Sequence, residues 1–111
     1  MKNVNIVLNL GLVTQNFIPL NMNTVYKIIA SSTDATITEC TGVYHGKLEP
    51  SLKIEIYDTT LENAVKLARK FACTFNQECV AVTYKWATVF VDAMATMDEC
   101  KQLVKRLAKG E

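Results

Sequence analysis

The amino-acid sequence predicts one α+β domain of the ferredoxin-like kind, in which helices pack on one face of an antiparallel sheet. Short runs that alternate apolar and polar residues indicate half-buried strands, and three longer segments with apolar residues at helical spacing indicate helices. The two kinds of segment follow one another in the order β-α-β-β-α-β-β-α. With 111 residues, half of them hydrophobic, the chain can build one core, so we expect a single domain over residues 1–111.

The first strand and the first helix are predicted near the start of the chain. In residues 4–10 apolar and polar side chains largely alternate, and many of them are β-branched, which predicts a strand. Gly11 ends this strand. Residues 21–30 begin with an asparagine suited to a helix cap and place several apolar side chains on one helical face, which predicts a short helix. Residues 31–34 form the turn after it.

A hairpin is predicted next. Residues 35–44 and 52–56 each have the period of two of a half-buried strand, and Gly42 is interpreted as a bulge. Residues 45–51 are predicted to form a polar loop between the two strands. A second hairpin is predicted further along, from two β-branched runs at 79–84 and 88–92.

The two remaining helices each begin with a T-x-x-E pattern, which is typical of a capping box. The first box is Thr59 to Glu62, and the second is Thr96 to Glu99, in a helix that ends at Gly110. Each box is followed by an apolar stripe at helical spacing, which indicates a face packed on the core. The stripes consist of Leu61, Ala64, Val65, Ala68, Phe71, Ala72 and Phe75, and of Met97, Cys100, Leu103, Val104 and Leu107.

The composition argues against several classes of partner and site. Lys and Arg number 12 against 11 Asp and Glu, so a net charge of +1 gives no reason to expect nucleic-acid binding. The apolar run at 6–13 is far shorter than the ~20 residues of a membrane span, and it ends in no cleavage site, so we expect no membrane association and a cytoplasmic protein. The four cysteines form no CxxC pair and His45 is the single histidine, so we expect no metal site and four reduced thiols packed as small core residues.

Several short motifs between residues 41 and 91 stand in a characteristic order. They are T-G-V-Y at 41–44, Glu49, the strand at 52–56, N-A-V-K-L-A-R at 63–69 and N-Q-E-C-V-A-V at 76–82. This series resembles the S-adenosylmethionine hydrolases, better called lyases, that bacteriophages carry. In that family a T-G-x-Y strand end leads through a variable loop to a glutamate, and the next helix leads into a Q-[DE]-C-[VI]-x-V strand.

The resemblance implies an enzyme that cleaves S-adenosylmethionine without a cofactor, with the whole of residues 1–111 as one such domain. The products would be methylthioadenosine and L-homoserine lactone, or homoserine if water attacks. Loss of this methyl donor would counter host restriction and methylation. Members of the family work as trimers with substrate between subunits, so the resemblance also implies a homotrimer.

The resemblance assigns site residues by position. It implies that Glu49 is the catalytic carboxylate, with Glu55 and Glu39 as the alternatives. The residues expected to bind substrate are Tyr44, Gln77 and Glu78. Trp86, in a hairpin turn, is expected either to stack on adenine or to cover a subunit interface.

The chemistry of the lyase route needs few protein groups, because the substrate's own carboxylate attacks its γ-carbon and expels a neutral thioether. Our hypothesis is that Glu49 orients the substrate through its ammonium or sulfonium, while Gln77 and backbone amides fix the nucleoside. In the hydrolytic route Glu49 would be a general base for water.

Two further hypotheses are a phage protein that binds a host defence factor without catalysis, and a regulatory module that binds a small ligand without turnover.

Overall fold

The computed structural model describes residues 3–109 and contains the eight predicted elements in the predicted order. The strands are β1 (Val4–Gly11), β2 (Ala35–Tyr44), β3 (Lys47–Thr59), β4 (Cys79–Tyr84) and β5 (Ala87–Asp92). The helices are α1 (Met22–Ser32), α2 (Leu61–Thr74) and α3 (Met97–Ala108). No helix in this part of the chain is long and apolar enough to cross a bilayer.

The five strands form one antiparallel sheet in the order β2-β3-β1-β4-β5. Read from β4, the first four strands have the order 4-1-3-2 of a ferredoxin-like sheet, and β5 adds a fifth strand beside β4. The predicted fold class is therefore confirmed. Because β1 is the central strand, residues at its end lie close to both neighbouring strands.

One face of the sheet and the helices enclose the hydrophobic core. Alternate residues of each strand point toward the helices, and the fully buried ones include Leu8, Leu52, Ile54, Val82 and Val91. The helices contribute the other side of the core, and α2 contributes most, with Phe71 and five further buried residues. Among residues 3–109 no helix lies on the opposite face of the sheet, which is called the open face below.

The structure corrects the first predicted capping box by one residue. Thr59 is the last residue of β3 and pairs with Val4, so it is not available as a cap. Thr60 caps α2 instead, because its hydroxyl accepts a hydrogen bond of 3.2 Å from the backbone N–H of Asn63. The second box is confirmed, since Thr96 and Glu99 each bond the other's backbone N–H. The predicted end at Gly110 lies outside the described residues.

Other boundaries also differ from the predictions. Helix α1 continues to Ser32, where a turn was predicted. Met97 was predicted on the apolar face of α3 but is mostly exposed at the first turn of that helix. The prediction that all cysteines are core residues is wrong for Cys40 and Cys73, which are exposed. Cys40 belongs to the set of β2 positions that faces away from the helices, so the core cannot cover it.

The largest difference from prediction is the hairpin of β2 and β3. The predicted loop at 45–51 is only a two-residue turn, in which His45 and Gly46 have φ of 51° and 76°, as a tight hairpin requires. The pairing continues without a shift through Gly42, which lies opposite Glu49, so Gly42 is not a bulge. Glu49 is therefore held in a paired strand and not in a loop.

Candidate functional site

A cavity of about 600 Å³ opens on the end of the open face where β1 finishes and β4 begins. The tip of the β2–β3 hairpin forms one wall, and the loop at residues 13–17 forms another. The segment at residues 77–79, which connects α2 to β4, closes a third side. All four residues predicted to bind or act on substrate line this cavity, although they come from separate parts of the chain.

Small side chains make the floor of the cavity. Cys40, Ser51 and Gly11 lie opposite one another across three neighbouring strands, and Ala81 lies on the next strand. Larger residues at these positions would fill the space, as they do on the helix-covered face. The cavity therefore exists because small residues occupy the strand positions that face away from the helices.

Glu49 and Gln77 converge above Gly11. A Cβ placed on Gly11 would lie 2.8 Å from the Oε1 atom of Gln77 and also 2.8 Å from the Oε1 atom of Glu49. That separation is shorter than real Cβ contacts, so only glycine leaves both oxygens in place. A carboxylate and an amide carbonyl oxygen thus occupy the same small region of the cavity.

The end of α2 explains how Gln77 reaches this position. Asn76 has a φ of 51° and ends the helix in the left-handed conformation that asparagine tolerates. The backbone N–H of Gln77 donates to the carbonyl of Ala72 at 2.8 Å, which completes a Schellman-type turn. This turn directs the chain from the helix into the floor of the cavity.

The side chain of Gln77 is held rigidly and is 7% exposed. Its Nε2 donates to the carbonyl oxygens of Val13 at 2.8 Å and of Phe75 at 3.1 Å. Because both amide hydrogens are engaged, the remaining group, Oε1, can only accept a hydrogen bond. Gln77 therefore presents an acceptor to the cavity.

Tyr44 and Glu78 connect opposite sides of the cavity, because the Tyr44 hydroxyl donates a hydrogen bond to the carboxylate of Glu78. This bond, followed by partial burial and by the negative charge of Glu78, raises the pKa of Tyr44 to about 12. The charge of Glu49 adds to this effect. The Tyr44 ring also lies against His45, with 4.1 Å between the ring centroids. Tyr44 is a neutral donor at physiological pH.

The charges around the cavity favour a cation. Neither Glu49 nor Glu78 has an ion-pair partner in the part of the chain that the structure describes. Lys47 also lines the cavity, but its ammonium lies 4.9 Å from the centroid of the Phe17 ring. The carboxylates of Glu49 and Glu78 and the carbonyl oxygen of Gln77 can therefore bind a positively charged group.

The cysteine that lines the cavity on β4 is not poised as a nucleophile. Burial is the main cause that raises the pKa of the Cys79 thiol, and the charges of Glu78 and Asp92 add to it. A thiol in such surroundings stays protonated and unreactive at neutral pH. No three His, Cys, Asp or Glu side chains within residues 3–109 are grouped so that they could hold a metal ion.

The alternatives to Glu49 lie outside the cavity and have other partners. Glu55 forms a 3.4 Å ion pair with Lys53, and Glu39 accepts a 2.9 Å hydrogen bond from Tyr26. Trp86 is 94% exposed in the turn between β4 and β5 and does not line the cavity of its own chain. Of the three glutamates considered, only Glu49 faces the cavity.

Several lining residues were missed by the sequence analysis. Asn9, Phe17 and Phe90 belong to β1, to the following loop and to β5, and no motif marked them. Period-two alternation does distinguish the open-face positions 9 and 90 from their buried neighbours. The pairing of strands that brings them together is a tertiary property that alternation does not contain.

Comparisons with known proteins concern the fold and the family of this chain. A solved structure of a phage SAM lyase in the apo state has a TM-score of 0.58 and 20% sequence identity, and the alignment covers 86% of this chain and 98% of that one. At that identity the likeness concerns the fold. No curated protein sequence matches the chain. The model of the S-adenosylmethionine lyase family matches residues 20–108, which is most of the sequence. The chain therefore belongs to the S-adenosylmethionine lyase family.

Proposed function

We propose that this protein cleaves S-adenosylmethionine to methylthioadenosine and L-homoserine lactone, with residues 1–111 acting as one catalytic domain. The observation that carries the proposal is the convergence of the Glu49 carboxylate and the Gln77 carbonyl oxygen above Gly11, in a cavity of about 600 Å³. S-adenosylmethionine carries two positive charges, a sulfonium and an ammonium, and this group of acceptors suits either one. The cavity volume falls within the usual range for small-molecule sites.

The reaction balances without any group supplied by the protein. A carboxylate oxygen of the substrate attacks its own γ-carbon, the bond from that carbon to sulfur breaks, and the electron pair returns to sulfur. Sulfur becomes a neutral thioether, the lactone ring closes, and no proton moves. The task left to the protein is to hold a flexible substrate in the attack geometry, a contribution that reaches about 7–11 kcal/mol in well-oriented systems.

Glu49 orients the substrate in this proposal. A carboxylate beside the sulfonium would stabilise the starting state more than a transition state in which that charge disappears. We therefore assign Glu49 to the substrate ammonium, whose charge persists through the reaction, so that the substrate carboxylate points at the γ-carbon. Glu78, held by Tyr44, and the Oε1 atom of Gln77 complete the set of acceptors. Since Gln77 has no free donor, it can serve the nucleoside only by accepting from a hydroxyl or an amine.

The first experiment follows the products chromatographically with purified wild type, Glu49→Gln and Glu55→Gln. Both substitutions remove one carboxylate from β3, but only Glu49 lines the cavity. We expect methylthioadenosine from wild type and from Glu55→Gln, and at least about a 100-fold loss of rate in Glu49→Gln because the substrate is misplaced. Saturable binding without product would instead favour a regulatory module, and no binding would favour a protein that acts by contact with a host factor.

Isotope labelling separates the lyase from the hydrolase. In water enriched in oxygen-18, direct attack by water at the γ-carbon places the label in the γ-hydroxyl of homoserine. Lactone that forms first and opens later takes the label into its carboxylate, because water then attacks the acyl carbon. We expect label in the carboxylate only. Label in the hydroxyl from the earliest time points would show hydrolysis, with Glu49 as the general base.

We also propose that the active form is a homotrimer with sites between subunits. This part rests on the family, and the openness of the cavity and the exposed apolar residues beside it support it. Val43 and Leu48, at the hairpin tip, are 71% and 76% exposed, and Phe17 and Ile18 lie exposed in the loop at its other wall. We expect sedimentation equilibrium to give three times the chain mass. When the protein is diluted until the trimer dissociates, the specific activity should fall together with the measured mass. Full activity in a monomer would contradict this proposal.

The cellular role that we propose is removal of S-adenosylmethionine from the cytoplasm of a bacterial host. Host methyltransferases and restriction enzymes that require this compound would then lose it, and incoming DNA would be protected indirectly. We expect expression of wild type, but not of Glu49→Gln, to relieve restriction by an enzyme that depends on S-adenosylmethionine. Equal relief by both proteins would favour a non-enzymatic contact with the host enzyme.

A further inference from the structure

We infer that the base of the substrate lies across Asn9, Ala81 and Phe90, and that Asn9 is the residue that selects adenine. This inference rests on the proposed function and adds a specificity determinant to it. The three residues line the end of the cavity away from Glu49, and they form one row across β1, β4 and β5.

The row provides a flat space between two side walls. Asn9 lies opposite Ala81, and Ala81 lies opposite Phe90. Neighbouring strands are ~4.8 Å apart, so Asn9 and Phe90 stand ~10 Å from each other with only the methyl group of Ala81 between them. A planar ring system fits above Ala81, with an amide on one side and an aromatic ring on the other.

Asn9 has the hydrogen-bonding groups that adenine requires. Its side-chain amide is exposed on the open face and has no hydrogen-bond partner among residues 3–109. A carboxamide can accept from the N6 amine of adenine and donate to N7, which is the usual bidentate reading of this base. The other two carboxamides at the cavity are engaged, since Gln77 donates to two carbonyls and Gln15 donates to Asn76. Among residues 3–109, Asn9 is therefore the carboxamide at the cavity with neither donor hydrogen engaged.

Phe90 supplies an aromatic surface beside the same space. It is 63% exposed although it belongs to a strand of the sheet, and its strand neighbours Val89 and Val91 are buried. Edge-to-face or stacked contact with an aromatic ring is favourable for any base, so Phe90 would add affinity and Asn9 would add selectivity.

The spacing along β1 agrees with the shape of the substrate. Asn9 and Gly11 are successive residues of the open face, so they are ~7 Å apart along the strand. The Glu49 and Gln77 oxygens lie above Gly11, at the end proposed for the charged part of the substrate. A ribose between base and sulfur spans a distance of this order. The flexible aminobutyrate chain beyond the sulfur can then fold so that its ammonium reaches Glu49, so one bound molecule can reach both ends.

The test compares S-adenosylmethionine with its inosine analogue, in which an oxo group replaces the N6 amine. We expect wild type to prefer the adenine substrate by about tenfold or more in kcat/KM, because the oxo group of the analogue cannot donate a hydrogen bond to the Asn9 carbonyl oxygen. Asn9→Ala should reduce the preference to within about threefold, mainly through KM, with the same products. Asn23→Ala, on the exposed surface of α1, is the matched control and should leave the preference unchanged.

Two further measurements make the outcomes distinguishable. Phe90→Ala should raise KM for both substrates by a similar factor, and Phe90→Tyr should restore it. Calorimetric binding of methylthioadenosine and methylthioinosine tests Asn9 without turnover, and Asn9→Ala should bind both about equally. If wild type cleaves S-adenosylmethionine and Asn9→Ala keeps the full preference, the inference is overturned while the proposed function stands. If wild type gives no product and binds neither nucleoside, both are overturned.

Discussion

The two faces of the sheet use the same strands for different purposes. On the helix-covered face, β3 presents Leu52 and Ile54, which are fully buried in the core. On the open face the same strand presents Glu49 and Ser51, which line the cavity. β1 has the same division, with Leu10 buried on one side and Gly11 under the acceptor oxygens on the other.

The difference between the faces shows how a small domain can separate its hydrophobic core from its candidate site. Large apolar residues on one face supply most of the free energy of folding, because burial of apolar area is the main favourable contribution. Small and polar residues on the other face contribute little to folding and leave room for a ligand. Substitutions at neighbouring positions of one strand should therefore affect different properties.

The largest expected effect tests the covered face. Ile54→Ala should lower the free energy of unfolding by about 2–5 kcal/mol, because it removes a fully buried side chain and leaves a cavity. Ser51→Ala, on the open face of the same strand, should change it by less than about 0.5 kcal/mol. Chemical denaturation of both variants measures the contrast, and equal losses would contradict the division between the faces.

Gly11→Ala is expected to reduce activity more than stability. The added methyl group would lie 2.8 Å from the Oε1 atoms of both Glu49 and Gln77, so at least one must move. Misplacement by about 1 Å of groups that position a substrate, the role proposed for these two, can cost about 100-fold, so we expect a loss of about tenfold or more in kcat/KM. The midpoint of thermal unfolding should change less than activity, because Glu49 borders the open cavity and can turn away, so the cost to stability is limited to the two hydrogen bonds that hold Gln77. Unchanged kcat/KM would show that the two oxygens do not act together.

The cap of α3 offers a change in stability that should leave the open face unaffected. Thr96→Ala removes the hydroxyl that accepts from the backbone N–H of Glu99 at 3.1 Å, so we expect a loss of about 1 kcal/mol in unfolding free energy. Thr96→Ser should recover most of it. Because α3 lies on the covered face, kcat/KM should stay within about twofold of wild type at a temperature where both proteins are folded, and a larger change would link the two faces.

The smallest expected effect concerns Tyr44 at alkaline pH. Its pKa is raised in the folded state, so the folded protein holds this proton more tightly than the unfolded chain does. The stabilisation is present below pH 10, the ordinary value for tyrosine, and is lost as pH rises toward about 12. Tyr44→Phe should therefore lose stability less steeply than wild type across this range. Denaturation at several alkaline pH values measures the slopes, and identical slopes would contradict the bond to Glu78.

The β2–β3 hairpin is the part of the molecule that differs most from what the local sequence patterns predict. The strand at residues 35–44 was predicted with the correct bounds, but the start of β3 was predicted five residues too late because Gly46 and Pro50 suggested a loop. Tertiary pairing overrode these local signals, since Pro50 faces Thr41 within the ladder. The site residues came from the family resemblance, and their convergence could not be derived from residue spacing.

The sequence by itself determined the order and type of the eight elements, because period-two and helical alternation record which side chains must be buried. It also determined the membership of the family, through motifs that are local in the chain. Only the tertiary structure decided that Glu49 lies near Gln77, which is 28 positions later, and that Asn9 shares a row with Ala81 and Phe90. Strand order and register bring these residues together, and they depend on how the whole core packs, which no local pattern specifies.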